Sequence, residues 1–239
     1  LSLHDALPIC SYFGINDLAG LPKDRYYLYQ SKWSDKPVFH VLPHWTWPER
    51  LNQKVPVFCY TNYPKAELFI NGKSMGVKQK DKSNTYTRYR LMWDNVIYEP
   101  GEIKVIAYDN DNKVVAEQLI RTASDSYSIR LTADRNKIKS DGKDLSFVTV
   151  EILDKNGNLC PRADNLLFFD VSGAGKLKDI CNGDPTDQTA FVSKYMSVFN
   201  GKMVAVIESE TESGEISLKV SGGLLKAQEV KISTENLSK

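Results

Sequence analysis

An aromatic cluster, Pro43-His44-Trp45-Thr46-Trp47, is the part of this sequence best suited to binding chemistry. Tryptophan faces stack on sugar rings, and residues two apart in an extended segment point to the same side. Trp45 and Trp47 are therefore candidate substrate-proximal residues for a carbohydrate. A second interpretation makes them a contact between domains, because large aromatic side chains supply the area that such contacts need. The position of the cluster, between a predicted helix and the first predicted sandwich, favours the second interpretation.

Other residue types that carry catalysis are sparse in the sequence. Of the three histidines, His4 lies in an unusual N-terminal segment, His40 alternates within a predicted strand, and His44 belongs to the aromatic cluster. The sequence has no GxSxG nucleophile motif, no GxGxxG and no GxxxxGK[ST] phosphate loop. The four cysteines have no CxxC spacing, which argues against a zinc site. We expect buried thiols, with a Cys160–Cys181 disulfide as the open alternative, and we predict no cofactor and no metal.

Two acidic loops, residues 109–112 and 154–158, invite a calcium interpretation. Neither is followed by the bidentate glutamate at the distance that an EF-hand loop needs. Asn, Asp and Gly are also the residues that tight turns use where φ is positive. Turns are therefore the favoured interpretation of both loops. The NGDPTD run at residues 182–187 is likewise predicted to be a loop first and a site second.

The charge balance and the composition exclude several classes of partner. A formal net charge of +1, from 31 basic and 30 acidic residues, gives no electrostatic reason to expect nucleic acid or a membrane surface. No run approaches the ~20 apolar residues that a transmembrane helix needs. With 41% hydrophobic and 26% charged residues, the composition is that of a globular protein, and the 239 residues suffice for one or two domains.

The N-terminal region divides into two segments. Residues 1–9 (LSLHDALPI) lack the charged start and apolar core of a signal peptide and resemble a translated sequencing adapter, so we predict a non-native segment. Further on, Pro22 suits the first turn of a helix, and Tyr26, Tyr29 and Trp33 recur at i, i+3 and i+7 as an apolar stripe. A single helix of about three turns is marginal in water, so we expect it to dock on something larger.

The pattern changes to strands after residue 36. Short segments rich in Val, Ile, Tyr and Phe lie at residues 37–42, 55–62, 66–71, 87–93 and 102–109. Asn71-Gly72 and the run 109–112 predict hairpins. A polar linker at 122–127 follows, and then strands restart with turns at spacings of about 8–12 residues. The sequence therefore predicts a mostly β chain, with one helix followed by two consecutive antiparallel β-sandwich, immunoglobulin-like domains.

Long blocks between Ser11 and about residue 232 carry a family resemblance. The blocks are SYFGINDLAGLPKDRYYLYQSKW, HVLPHWTWPER, VFCYTNYPKAELFINGKSMG, YEPGEIKVIAYD, LTADRNKIKSDGKDLSFVTVEILDKNGN and VSGAGKLKDICNGDP. They resemble the C-terminal half of glycoside hydrolase family 2 proteins of the β-galactosidase type. The resemblance implies that residues 10–34 are the last loop and outer helix of a (β/α)8 catalytic barrel. Residues 35–123 and 124–239 would then be two accessory β-sandwich domains.

The same resemblance implies where the chemistry lies. The family hydrolyses a terminal β-glycosidic bond with retention, using two glutamates on barrel strands upstream of the last helix. It thus implies no catalytic residue in this chain, which we expect to be inactive alone. The implied partners are the missing barrel of the same polypeptide and, through the parent enzyme, a carbohydrate substrate. A bacterial parent, periplasmic or secreted, is the expectation for localisation.

Tyr12 and Phe13 are the other two candidate substrate-proximal residues. By the resemblance, they leave the C-terminal end of the last barrel strand, the face of a barrel where active sites lie. They would then line the rim of the sugar pocket, with packing beneath that rim as the open alternative.

Two other classes of function compete with this reading of the sequence. A stand-alone carbohydrate-binding module would use Trp45 and Trp47 as stacking platforms, but it has no need of the helix YYLYQSKW. A bacterial surface adhesion protein would explain DGKDLSFVTVEILDKNGN, which resembles immunoglobulin-like repeats, but the two predicted sandwiches are not repeats of each other.

Overall fold

A computed structural model describes residues 14–236 of the chain. The predicted non-native segment at residues 1–9 and the candidates Tyr12 and Phe13 therefore lie outside the described residues. The described chain divides into two compact units. The first unit comprises residues 22–122, and the second comprises residues 123–236 together with residues 14–21.

The first unit contains one α-helix, one short 3-10 helix and seven strands. They are α1 (Asp24–Trp33), the 3-10 turn Pro48–Arg50, β1 (Phe39–Leu42), β2 (Val57–Thr61), β3 (Lys65–Ile70), β4 (Lys73–Gln79), β5 (Leu91–Trp93), β6 (Glu102–Tyr108) and β7 (Val114–Arg121). The strands form two antiparallel sheets, one in the order β1-β2-β5 and one in the order β4-β3-β6-β7. The predicted helix is present and spans ten residues.

Tight turns join the strands of the first unit where the sequence predicts them. Asn71 and Gly72, between β3 and β4, both have positive φ, at 48° and 81°. Asn112, between β6 and β7, has a φ of 63°, and the Asp109 amide donates to the Lys113 carbonyl. Both predicted hairpins are confirmed, because Asn and Gly adopt this backbone conformation at little cost.

The core of the first unit follows the alternation along its strands. In β6, Ile103, Val105 and Ala107 are fully buried, while the residues between them are partly exposed. Side chains from both sheets join them in one cluster that also contains Trp45, Leu68 and other large residues. Burial of apolar area on this scale supplies the main driving force for folding of a small sandwich.

One strand of the first unit is shorter than predicted. The segment at 87–93 forms a strand only at Leu91–Trp93. Ahead of it, Asn84 organises a turn, because its side chain accepts a hydrogen bond from the Tyr86 amide and its carbonyl accepts one from the Arg88 amide. The alternation of TRYR reads as a strand in sequence, but local hydrogen bonds from Asn offer the backbone a competing turn.

The second unit contains nine strands. They are β8 (Ser128–Ala133), β9 (Lys137–Lys139), β10 (Leu145–Leu153), β11 (Leu166–Gly173), β12 (Gly175–Cys181), β13 (Tyr195–Ser197), β14 (Lys202–Ser209), β15 (Glu215–Ser221) and β16 (Gln228–Glu235). One sheet has the order β12-β14-β10-β8 and the other the order β13-β11-β15-β16-β9. Every pair is antiparallel except β16 with the short edge strand β9, which run parallel.

The core of the second unit is built from the inner faces of both sheets. Val148, Val150 and Ile152 of β10 are fully buried, as their alternation predicts. They pack in one cluster with residues of the facing sheet such as Ile216 and Leu218. The prediction of a mostly β chain with antiparallel sheets and one preceding helix is therefore confirmed.

Candidate functional site

Residues 14–21, which we call the N-terminal turn, are organised by Asp17. Its Oδ1 accepts a hydrogen bond from the Leu21 amide at 2.8 Å, and its own amide donates to the Leu21 carbonyl at 2.9 Å. Gly20 closes the turn with a φ of 77° and donates to the Asp17 carbonyl. A short carboxylate that satisfies backbone groups in this way is typical of an ordered loop. The turn therefore has a defined shape just ahead of α1.

The Asp17 side chain lies against the loop of residues 182–187, which we call the Asn182 loop. A Cβ built on Gly183 would lie 2.5 Å from Asp17 Oδ2, so a larger residue at this position would require one of the two to shift. The φ of Gly183 is 80°, which also favours glycine. The Asn182 loop is thus the part of the second unit that receives the N-terminal turn.

Buried hydrogen bonds fix the Asn182 loop. Asn182 is buried, and its amide nitrogen donates to Asp187 Oδ2 at 2.6 Å and to the Ser197 carbonyl at 2.9 Å. Its Oδ1 accepts from the Asp184 amide at 2.9 Å. Burial raises the pKa of Asp187, but hydrogen bonds from Thr189 and Asn182 outweigh that effect and lower it overall. The loop predicted from the NGDPTD run is therefore a rigid support rather than an open ligand cradle.

The helix α1 is attached to the first unit by a small cluster around His40. Asp24 Oδ1 lies 2.8 Å from His40 Nε2, and the Tyr27 ring stacks on the imidazole with centroids 3.9 Å apart and planes 14° apart. Burial raises the pKa of Tyr27, with the neighbouring Tyr26 and Asp24 acting in the same direction. His40 therefore serves as a partner of the helix.

The remaining surface of α1 is open. Every residue of the helix keeps part of its surface exposed, and Trp33 is 78% exposed. The Tyr29 and Trp33 rings stack on each other with centroids 4.9 Å apart. We call the partly buried Tyr29 ring and the exposed Trp33 ring the aromatic face of α1. An exposed aromatic face on a short helix is typical of a surface that another domain covers.

The two tryptophans of the aromatic cluster have different environments. Trp45 has 0% relative exposure, donates from Nε1 to the Glu99 carbonyl at 2.9 Å and packs edge-on against Tyr98. Its ring has no face left for a sugar, so the structure assigns Trp45 to the core. Trp47 is half-buried, stacks on His44 with centroids 4.2 Å apart and has the Arg50 guanidinium 5.4 Å from its ring centroid. The two side chains therefore do not form a shared platform.

The two acidic loops have the geometry of turns. Asp154 Oδ1 accepts hydrogen bonds from the Asn156 and Asn158 amides, while Oδ2 accepts from the Ser124 amide and the Asn158 side chain. Asp109 Oδ1 accepts from two amides in the same manner. Within residues 14–236, no group of three or more His, Cys, Asp and Glu side chains is arranged to hold a metal ion.

Two further features of the described residues bear on the sequence-based expectations. Cys160 is a buried thiol whose Sγ lies 3.6 Å from the Ser124 carbonyl, so it does not pair with Cys181. Across the same described stretch, no helix is long and apolar enough to cross a membrane.

Comparison with protein families places both units. Residues 129–231 match the family model described as glycoside hydrolase family 2 C-terminal domain 5. Residues 52–116 match a model described as a domain of unknown function, DUF4982.

Curated relatives are longer proteins. The chain is 48% identical over 228 residues to beta-galactosidase BoGH2A of Bacteroides ovatus, covering 95% of this chain and 26% of that protein. It is 34% identical over 220 residues to a putative beta-glucuronidase of Formosa agariphila, covering 90% of this chain and 21% of that protein. The chain thus spans about a quarter of the length of these relatives.

Solved structures share the fold. A beta-glycosidase from Bacteroides vulgatus superposes with a TM-score of 0.85 at 38% identity, covering 93% of this chain and 28% of that one. A glycosyl hydrolase family 2 member from Bacteroides cellulosilyticus gives a TM-score of 0.83 at 27% identity, covering 93% of this chain and 32% of that one.

Proposed function

We propose, from the premise that this chain carries C-terminal domains of a glycoside hydrolase family 2 protein, that it is the non-catalytic accessory region of a retaining exo-glycosidase of the β-galactosidase type. The parent protein would hydrolyse terminal β-glycosidic bonds with residues outside this chain. The two β-sandwiches would hold the last loop and helix of the catalytic barrel. The relatives support this placement, because the chain matches only about a quarter of their length.

The open aromatic face of α1 is the observation that carries the proposal. A ten-residue helix is marginal in water by itself, and here Asp24 and Tyr27 fix one side of it to His40. On the aromatic face, by contrast, Trp33 leaves 78% of its surface exposed. A catalytic domain from the same polypeptide would cover these rings and complete the packing of the helix.

The contact between Asp17 and Gly183 supports a role in positioning. It holds the N-terminal turn against the second unit, although the two residues are 166 positions apart along the chain. Through this turn, the second sandwich would fix the direction in which the preceding residues approach the barrel. Tyr12 and Phe13 precede the turn, and we propose them as rim residues of the parent's sugar pocket.

Hydrolysis of a panel of nitrophenyl glycosides by the purified chain tests the proposal. The panel contains β-galactoside, β-glucuronide, β-glucoside and β-mannoside, and the enzyme concentration is high enough to detect very slow turnover. We expect no hydrolysis of any sugar above the rate of the heat-denatured chain. Turnover that copurifies with the chain through repeated chromatography would overturn the proposal, because the chain would then carry its own catalytic carboxylates.

A further inference from the structure

Positive side chains converge around one tyrosine of the first unit. The Lys32 ammonium lies 5.6 Å from the centroid of the Tyr89 ring, and the Arg88 guanidinium carbon lies 4.7 Å from the same centroid. Lys32 comes from the end of α1, whereas Arg88 and Tyr89 come from the turn before β5. The electron-rich ring offsets part of the repulsion between the two cations.

Two more cations belong with this pair, because Arg90 directly follows Tyr89 in the chain and the charge of Lys32 acts on Lys80. The Arg90 guanidinium carbon lies 5.6 Å from the centroid of the Phe58 ring, and its Nε donates to the Tyr86 carbonyl at 3.0 Å. Lys80, which follows β4, donates from Nζ to the Thr61 carbonyl. Burial lowers the pKa of Lys80 to about 8, the Cys59 side chain opposes this change, and the positive charge of Lys32 reinforces it. We call Lys32, Lys80, Arg88 and Arg90 the cationic cluster.

The members of the cationic cluster have no carboxylate partner among the described residues, unlike Lys104 and Arg121 of the same unit. Lys104 pairs with Glu117 at 2.9 Å, and Arg121 pairs with Glu102 at 3.3 Å. No member of the cationic cluster forms an ion pair with an acidic side chain of residues 14–236. Gathering four positive charges without a counter-charge is unfavourable, and a bound anion would relieve the repulsion.

We propose that the cationic cluster binds an oxyanion carried by a carbohydrate, either the carboxylate of a uronic acid or a sulfate ester. The planar guanidinium groups of Arg88 and Arg90 match the two oxygens of such a group, which a lysine does not do. Tyr86 is exposed beside them and offers a ring face to the C–H groups of a sugar, whereas the Tyr89 ring already contacts Lys32 and Arg88. Charge complementarity thus selects the anion, and the Tyr86 ring selects the sugar that carries it.

The proposed site would give this chain a binding activity of its own. It goes beyond the accessory role proposed above, since it requires neither hydrolysis nor the rest of the parent protein. Absence of anion binding would not count against the accessory role, because the binding assay measures no turnover. Conversely, glycoside hydrolysis by the chain would overturn the accessory role without changing the binding result.

Binding of defined polysaccharides to the 239-residue chain at low ionic strength tests the proposal. The probes are polygalacturonate for the carboxylate, dextran sulfate for the sulfate ester, neutral dextran, and a single-stranded DNA oligonucleotide as an anion without exposed sugar carboxylates or sulfates. We expect binding to one or both acidic polysaccharides, little to neutral dextran, and weaker binding to the oligonucleotide. The two acidic polysaccharides distinguish the carboxylate from the sulfate.

Variants locate the binding site. Arg88 is exposed, so Arg88→Ala should not disturb folding, and it should weaken binding about tenfold, as expected for loss of a charge-assisted hydrogen-bond pair. Arg88→Lys keeps the positive charge but loses the two-pronged guanidinium. Its affinity should therefore fall between that of the natural chain and that of Arg88→Ala. Lys104→Ala removes a charge that Glu117 already neutralises and should change affinity less than about twofold.

Four results would overturn the proposal. They are absence of binding to both acidic polysaccharides, equal binding to neutral dextran, binding to the oligonucleotide as tight as to the preferred polysaccharide, and an effect of Lys104→Ala as large as that of Arg88→Ala. Equal binding to the oligonucleotide would mean that the cluster attracts any polyanion.

Discussion

The carboxylate of Asp17 lies so close to Gly183 that a methyl group on this glycine would come within 2.5 Å of Oδ2. The same carboxylate binds the Leu21 amide through Oδ1, so it cannot move away without breaking a hydrogen bond of the N-terminal turn. A flexible side chain tip usually yields to a new methyl group, but this one is held by the hydrogen bond to Oδ1. The pair therefore links the shape of the N-terminal turn to that of the Asn182 loop.

Substitution of Gly183 by alanine should reveal this contact. Gly157 is the matched control, because its φ is 81° against 80° for Gly183 and nothing lies within 4 Å of its would-be Cβ. Both alanine variants carry the same backbone strain. The difference between their free energies of unfolding therefore measures the steric contact with Asp17. We expect Gly183→Ala to lower the free energy of unfolding by about 1–2 kcal/mol more than Gly157→Ala, measured by urea denaturation.

A double variant checks the cause of that difference. Asp17→Ala removes the carboxylate that the new methyl group would meet. In the Asp17→Ala background, Gly183→Ala and Gly157→Ala should cost about the same free energy of unfolding. A difference that persists without Asp17 would show that the Asn182 loop itself resists the methyl group.

Asp154 should contribute a pH-dependent stability to the second unit. Burial alone would raise its pKa, but hydrogen bonds from the Asn158 side chain and from three backbone amides lower the value from 3.8 to about 2. Because the folded state holds the proton less tightly than the unfolded state, the stabilisation is fully present above pH 4 and is lost as the pH falls through 2. The shift corresponds to about 2 kcal/mol at neutral pH.

We therefore expect Asp154→Asn to lower the free energy of unfolding by about 2 kcal/mol at pH 7 and by progressively less as the pH approaches 2. Asp109→Asn alters a similar turn in the first unit, where the carboxylate is partly exposed, and serves as the control. Urea unfolding followed by circular dichroism at several pH values gives both curves. A loss at Asp154 that does not diminish toward low pH would mean that geometry, rather than charge, makes the contribution.

The two tryptophans of the aromatic cluster should respond differently to substitution. Trp45→Phe removes a hydrogen bond to the Glu99 carbonyl and leaves a cavity in the core, so it should cost about 2–3 kcal/mol of unfolding free energy. Trp47→Phe also removes a hydrogen bond, from Nε1 to the His44 carbonyl, but this ring is half-buried and the variant should cost about 1 kcal/mol. Thermal unfolding of the two variants checks the order. Equal losses would contradict the full burial of Trp45 and the partial burial of Trp47.

Local features of the fold were accessible from the sequence. The hairpin at Asn71-Gly72 is determined by residues that tolerate positive φ, and the inward residues of β6 follow from a period of two. The burial of Trp45 could not be predicted in this way, because alternation shows which residues share a side of the strand but not which side faces the core. The prediction of a strand at TRYR was wrong for a different reason. Asn84 makes turn hydrogen bonds that compete with strand pairing.

Contacts between distant parts of the chain were the least accessible. Asp17 and Gly183 are ordinary turn residues in sequence, and nothing local indicates that they meet. The cationic cluster likewise combines Lys32, Lys80 and the 88–90 segment, which only the fold brings together. The proximity of basic and aromatic residues in YTRYR was a sequence signal for part of it.

Lys80 should make the stability of the first unit depend on alkaline pH. Its folded pKa of about 8 lies below the ordinary 10.5, so the folded state binds the proton less tightly and the charge is destabilising. The groups that face its ammonium are the Thr61 carbonyl, the Cys59 thiol and the Lys32 ammonium. The penalty is fully present below pH 8 and fades as the pH rises to 10.5.

Lys80→Met removes that penalty. At each pH, the free energy of unfolding of the variant is compared with that of the natural chain. This difference should favour the variant by about 1 kcal/mol more at pH 7 than at pH 10, a figure reduced because the Lys80 side chain is partly exposed. Exposed Lys78 lies on the preceding strand, and Lys78→Met controls for the loss of one charge. Urea unfolding at the two pH values measures the difference. A relative stability that stays constant between pH 7 and 10 would contradict the shifted pKa.

Removal of residues 1–34 tests how α1 belongs to the molecule. If a catalytic domain covers the aromatic face of α1 in the parent protein, deletion of residues 1–34 should improve solubility, because exposed rings favour aggregation. The first unit should lose the contacts of Asp24 and Tyr27 with His40 and of Lys32 with Tyr89, which amount to about 1–2 kcal/mol, and the second unit should lose the approach of Asp17 to Gly183. Both sandwiches should therefore remain folded and unfold cooperatively on heating.

Deletion of residues 1–13 alone, which keeps the helix, is the control and should leave solubility low. Loss of the cooperative transition only in the longer deletion would show instead that α1 is part of the core on which the first sandwich depends.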